Sequence, residues 1–86
     1  MTYYSDLLIV ISELEALESG QPPARSSSEL RLLCRRMLEI DPNEFLVKQL
    51  LEMLEALPKH VRKDALGSVL VDKVRAMFRK LEEANR

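Results

Sequence analysis

Helix-breaking residues stand at only a few points of this chain, and they divide it into leucine-rich segments of helical length. The chain has 86 residues but only two glycines and four prolines. Glycine and proline are the residues that most often end helices or enforce turns. They occupy positions 20, 22, 23, 42, 58 and 67. The spacing predicts one all-α domain, residues 1–86, folded as a small helical bundle.

The apolar side chains also favour helices over sheets. Leucine supplies 16 residues, whereas tyrosine and phenylalanine together supply four and tryptophan is absent. Strands are enriched in aromatic and β-branched residues, so this composition is typical of packed helices. We predict four main helices, at about 3–19, 27–40, 42–57 and 69–84, and a short helix at about 59–66.

The first boundary lies in a loop at residues 20–26. Gly20 can close the first helix in the left-handed conformation that glycine adopts without strain. Two consecutive prolines follow, and neither can donate a backbone hydrogen bond. Ser26, followed three residues later by Glu29, is a capping box that predicts the start of the second helix.

The next boundary is predicted at Asp41-Pro42. Aspartate is a favourable N-cap, and proline is well tolerated at the first helical position. Glu44 then stands at the third helical position, as in a capping box. Pro58 restricts the residue before it, so the third helix should end near Leu57.

The last third of the chain shows a break in helical phase. The apolar residues between Leu70 and Leu81 share an arc of about 120° on a helical wheel. Extending that phase backwards places Lys59 and His60 on the apolar side. We therefore predict a break at Gly67-Ser68, with a single kinked helix as the alternative.

The first and third predicted helices carry wide apolar arcs. They span about 180° and about 160°, whereas a helix that faces one core needs only a little over about 100°. A short chain cannot cover this much apolar surface by itself, so we predict a homo-oligomer, most simply a dimer, or a complex with another helical protein. The predicted interface residues are Leu7, Ile9, Val10, Leu14, Leu17, Val47 and Leu51.

Charge is distributed unevenly along the chain. The net charge is −1 in total, but residues 1–28 carry −3 and residues 58–86 carry +4. A cluster of basic side chains follows Pro58, and it is a candidate docking patch for an acidic protein or a nucleic-acid backbone. Pairing with the acidic first helix is the alternative. The predicted patch residues are Lys59, His60, Arg62 and Lys63.

Catalytic chemistry has few candidate residues. Cys34 is the only cysteine and His60 the only histidine. Cys34 shares the apolar stripe of the second helix with Leu30 and Leu33, so it is predicted to be a buried apolar residue. We expect no catalytic residue, no metal site and no cofactor, and hence no enzyme.

Neither a membrane span nor a targeting segment is expected. The longest apolar run, residues 7–11, is far shorter than the roughly 20 residues that cross a bilayer. The first residues are not basic, unlike a secretory or transit peptide. We expect a cytoplasmic, non-enzymatic protein–protein interaction module, such as an adaptor, a chaperone-like protein or an inhibitory regulator. The alternative is a small nucleic-acid-associated transcriptional regulator that uses the basic C-terminal half.

Overall fold

The computed structural model describes residues 2–58 and 61–84. These residues contain no strand and form four α-helices with one 3₁₀ turn, which confirms the predicted all-α bundle. The elements are α1 (Thr2–Glu18), α2 (Ser27–Ile40), α3 (Phe45–Glu55), the 3₁₀ turn (Lys63–Ala65) and α4 (Leu66–Ala84). No helix in this part of the chain is long and apolar enough to cross a membrane.

The end of α1 is closed as its sequence predicts. Gly20 has φ +79°. Its N–H donates to the Leu17 carbonyl at 3.0 Å, and the Gln21 N–H donates to the Ala16 carbonyl at 2.9 Å. This pair of hydrogen bonds is a Schellman motif, which requires a left-handed residue at the position of Gly20.

The loop after α1 is tied back to that helix by Glu13. One carboxylate oxygen of Glu13 accepts the Ala24 N–H at 2.9 Å, and the other accepts Arg25 Nη1 at 3.2 Å. Glu13 is only 3% exposed. A buried carboxylate requires such partners, so these contacts fix where the loop lies and how the chain enters α2.

We expect Glu13→Ala to lower the free energy of unfolding by about 1–3 kcal/mol, because two donors lose their acceptor. Urea unfolding followed by circular dichroism would measure the change. Glu15→Ala, an exposed change on the same helix, should stay within about 0.5 kcal/mol when both variants are measured under conditions in which the chain is monomeric. Equal effects of the two substitutions would contradict this role of Glu13.

The predicted N-cap at Ser26 is present, but the Glu29 carboxylate accepts from the Ser26 hydroxyl instead of from the Ser26 backbone N–H. The Glu29 N–H donates to the Ser26 hydroxyl oxygen at 3.2 Å. The Ser26 hydroxyl in turn donates to the Glu29 carboxylate at 3.0 Å. These bonds satisfy a backbone donor that the first helical turn leaves free.

The predicted start of the third helix is wrong. Asp41 closes α2, since its N–H donates to the Met37 carbonyl at 3.0 Å. The Asp41 side chain accepts the Asn43 N–H at 3.1 Å, and its carbonyl accepts the Glu44 N–H at 3.4 Å. Asp41 therefore caps a turn rather than a helix, and α3 begins only at Phe45. The α3 helix also ends at Glu55, slightly before the end predicted near Leu57.

The predicted break at Gly67-Ser68 is also wrong. The 3₁₀ turn leads directly into α4, which begins at Leu66. Of the short helix predicted at 59–66, Lys59 and His60 lie outside the described residues, Lys63–Ala65 forms the 3₁₀ turn, and Leu66 already belongs to α4. Gly67 lies inside α4 and is buried. A Cβ atom there would lie 2.5 Å from the Gly20 and Gln21 carbonyl oxygens, so this glycine allows a close approach of two backbones.

The core lies between the four helices, which pack most extensively as two pairs, α1 with α4 and α2 with α3. Polar contacts at the edges of the bundle also join α1 to α2 and α2 to α3. Asp6 pairs with Arg36 of α2 at 3.5 Å, and Arg31 donates to the Leu54 carbonyl of α3 at 3.3 Å. Contact between α3 and α4 is the least extensive among neighbouring α-helices. This packing leaves an open edge between α3 and α4.

Candidate interaction surfaces

Four residues of the predicted interface belong to the monomer core. Val10, Leu14, Leu17 and Val47 are all 0% exposed. Their side chains are packed between the helices. A partner could reach them only if the bundle opened, so the folded chain does not present them as a contact surface.

The other three predicted interface residues lie at the margin of the core. Leu7, Ile9 and Leu51 are half-buried and pack against the core. Their uncovered parts remain accessible to a partner. The structure therefore separates the predicted set into a buried group and an accessible group.

The exposed apolar surface of α1 is formed by residues that the sequence prediction missed. Tyr4 is 68% exposed and Leu8 is 67% exposed. Half-buried Leu7 and Ile11 stand at helical spacing beside them. We call these four residues the α1 stripe. Leu8 stands at one edge of the apolar arc of α1 and buried Leu17 at the other, so the helical wheel alone does not tell which edge is exposed.

The N-terminal end of the α1 stripe is held in place by Tyr3. The Tyr3 hydroxyl donates to an Asp41 carboxylate oxygen at 3.5 Å, and its ring meets the Tyr4 ring edge-on at 5.8 Å. The pKa of Tyr3 is raised above its ordinary value. The largest cause is desolvation by partial burial, and the negative charges of Asp41 and Glu44 add to it. The hydroxyl therefore stays protonated and keeps its role as a donor.

A second surface lies in the open edge between α3 and α4. It is a groove of about 250 Å³ with apolar and basic walls. We call it the α3/α4 groove. Phe45, at 43% exposed, contributes most of the accessible aromatic surface. The lining residues are Phe45, Gln49, Met53, Lys73, Ala76, Met77 and Lys80.

The predicted basic docking patch is only partly described. Lys59 and His60 lie outside the described residues. Arg62 and Lys63 are exposed, but Arg62 pairs with Asp64 at 3.1 Å. That carboxylate offsets part of the local positive charge. The role of the patch in docking stays a prediction.

Cys34 is buried, as its position on the apolar stripe predicts. Desolvation by burial raises the pKa of Cys34 to about 12. The thiolate is the reactive form of cysteine, so the protonated Cys34 thiol is a poor nucleophile near neutral pH. Within residues 2–58 and 61–84, no group of three or more histidine, cysteine, aspartate or glutamate side chains could hold a metal ion.

Comparison with known proteins adds no relative. No family model matches this chain, and neither curated proteins nor solved structures give a significant match. Functional interpretation therefore rests on the exposed surfaces of the bundle.

Proposed function

We propose that this chain is a non-enzymatic protein–protein interaction module that self-associates through the α1 stripe. The observation that supports this most strongly is the exposure of Tyr4 and Leu8 next to each other on one helix, at 68% and 67%. Single exposed apolar residues are common on protein surfaces, but neighbouring ones that form a continuous strip favour association. Covering them releases water from apolar surface, which stabilises a complex.

Such a module would work as an adaptor, a chaperone-like protein or an inhibitory regulator, because each of these roles needs only a contact surface. We further propose that it acts in the cytoplasm. Its single cysteine is free and buried, and a cysteine without a disulfide partner suits a reducing compartment.

The proposal can be tested by placing a charge in the α1 stripe. Light scattering should give the wild-type chain a mass of twice 9.9 kDa. We expect Leu8→Glu to reduce it to that of one chain, because a carboxylate buried in an apolar interface costs free energy.

Leu32→Glu provides a matched control. Leu32 lies on α2 and is 64% exposed, so the same substitution adds the same charge to a similarly exposed leucine. We expect this variant to keep the wild-type mass. A wild-type chain with the mass of one copy at every concentration would contradict self-association, and equal loss of mass in both variants would contradict the role of the α1 stripe.

A further inference from the structure

We propose that the α1 stripe of one copy docks in the α3/α4 groove of a second copy, and that the two copies do so reciprocally. The inference rests on the self-association proposed above and specifies its geometry. It commits to a second copy of this chain as the occupant of the groove. The complementary charge and apolar character of the two surfaces carry it.

The α1 helix is acidic, and its only described cationic contact near the C-terminal end is Arg75 Nε, which donates to the Glu18 backbone carbonyl at 3.0 Å. The helix contains four carboxylates and no basic residue. Asp6 and Glu13 pair with arginines of the same chain. In the described part of the chain, Glu15 and Glu18 have no such ion pair. These two carboxylates follow the α1 stripe at helical spacing, so this face of α1 is apolar at its N-terminal end and negative at its C-terminal end.

The α3/α4 groove has the complementary character. Phe45, Met53 and Met77 give it apolar walls, and Lys73 and Lys80 add two ammonium groups. Both lysines are exposed, and neither forms an ion pair with any residue that the structure describes. A groove of this kind fits an amphipathic helix that carries apolar side chains and carboxylates on one face. The face of α1 that carries the α1 stripe, Glu15 and Glu18 has this character.

Pairing α1 with the α1 of a second copy is less favourable. That arrangement would place two acidic helices side by side, where like charges repel. It would also use only the few exposed side chains of the stripe. Stable interfaces bury about 800 Å² on each partner. Reciprocal docking brings two stripes and two grooves into contact, whereas stripe-to-stripe pairing brings together only the two stripes.

Reciprocal docking also limits the size of the assembly. The stripe and the groove lie on different helices of one chain, so each copy can donate its stripe and accept that of its partner. A two-fold axis relating the copies closes the assembly after two chains. Docking in one direction only would leave a free stripe and a free groove and would continue into a chain of copies.

A pair of charge reversals tests this arrangement. The first variant carries Lys73→Glu and Lys80→Glu, and the second carries Glu15→Lys and Glu18→Lys. We expect each alone to raise the dimer dissociation constant by about tenfold or more, since like charges then meet in both contacts. An equal mixture should restore the dimer, because one contact keeps the native charges and the other has both reversed.

The control variant carries Lys48→Glu and Arg79→Glu. Both residues are exposed and lie outside the groove lining, and the change in net charge equals that of the groove variant. Sedimentation equilibrium would give the dissociation constants, and circular dichroism would verify that each variant is folded. We expect the control to dimerise like the wild-type chain.

The outcomes separate this inference from the function it rests on. A wild-type dimer that survives the groove reversal, or variants that fail to recover on mixing, would overturn the stripe-to-groove contact but leave self-association standing. Assemblies that grow beyond two chains would overturn the reciprocal closure. A wild-type chain that is monomeric throughout would overturn both proposals.

Discussion

Leu14→Ala is expected to lower the free energy of unfolding by about 2–5 kcal/mol, the usual cost of removing a leucine side chain from a packed core. Leu14 is 0% exposed, and the lost methyl groups leave a cavity that its neighbours fill only in part. In a domain of this size, each kcal/mol shifts the midpoint of thermal unfolding by about 4–8 °C. Urea and thermal unfolding at a fixed protein concentration would measure the loss.

Leu8→Ala is the matched control on the same helix. Leu8 is 67% exposed, so the monomer should lose less than about 0.5 kcal/mol. Both variants must be compared under conditions in which the chain is monomeric, because self-association would itself add stability. A large loss for Leu8→Ala with a small loss for Leu14→Ala would contradict the assignment of Leu14 to the core.

Gly67→Ala is expected to destabilise the fold by at least about 2 kcal/mol, a typical cost of forcing extra atoms into a well-packed site. The new Cβ atom would lie 2.5 Å from two carbonyl oxygens, and both belong to backbone that cannot rotate away. Whether Gly67→Ala lowers or raises the free energy of unfolding distinguishes a close approach of two backbones from an open helical position. At an open helical position, alanine would instead stabilise the chain by about 1 kcal/mol relative to glycine.

Ser68→Ala is a neighbouring change in the same turn of α4. Ser68 is exposed and donates to the Ala65 carbonyl at 3.0 Å, and we expect a loss within about 0.5 kcal/mol for a surface position. Chemical denaturation of both variants would measure the difference. An increase in stability for Gly67→Ala would show that α4 does not approach the 20–21 backbone closely.

Local signals in the sequence were enough to predict much of the fold. The N-cap at Ser26 and the helix end at Gly20 depend on atoms within a few residues of one another, so short patterns specify them. The burial of Cys34 also followed from its place on an amphipathic helix.

Two wrong predictions involved a choice between two local meanings of one residue. Asp41 can cap a helix or a turn, and the turn prevails here. Gly67 can end a helix or allow a close approach, and only its contact with residues distant in sequence decides between them. A helical wheel likewise gives the width of an apolar arc but not which part faces inward. For that reason Leu14 was assigned to an interface and Tyr4 was missed.

The α3/α4 groove could not have been predicted from the sequence. Phe45 and Met53 lie on α3, whereas Lys73 and Lys80 lie on α4. Periodicity within either helix says nothing about the distance between them. The groove exists because α3 and α4 are the least extensively packed of the neighbouring α-helices, a property of the tertiary fold.

A dilution series followed by amide NMR spectra tests most directly whether the exposed edge of α1 is a contact surface. As the chain is concentrated, we expect progressive shifts at Tyr4, Leu8 and the residues around them, with matching shifts in the α3/α4 groove. The amide of Leu32 should not move. Spectra that do not change with concentration, or changes centred on the exposed face of α2 instead, would contradict the proposal.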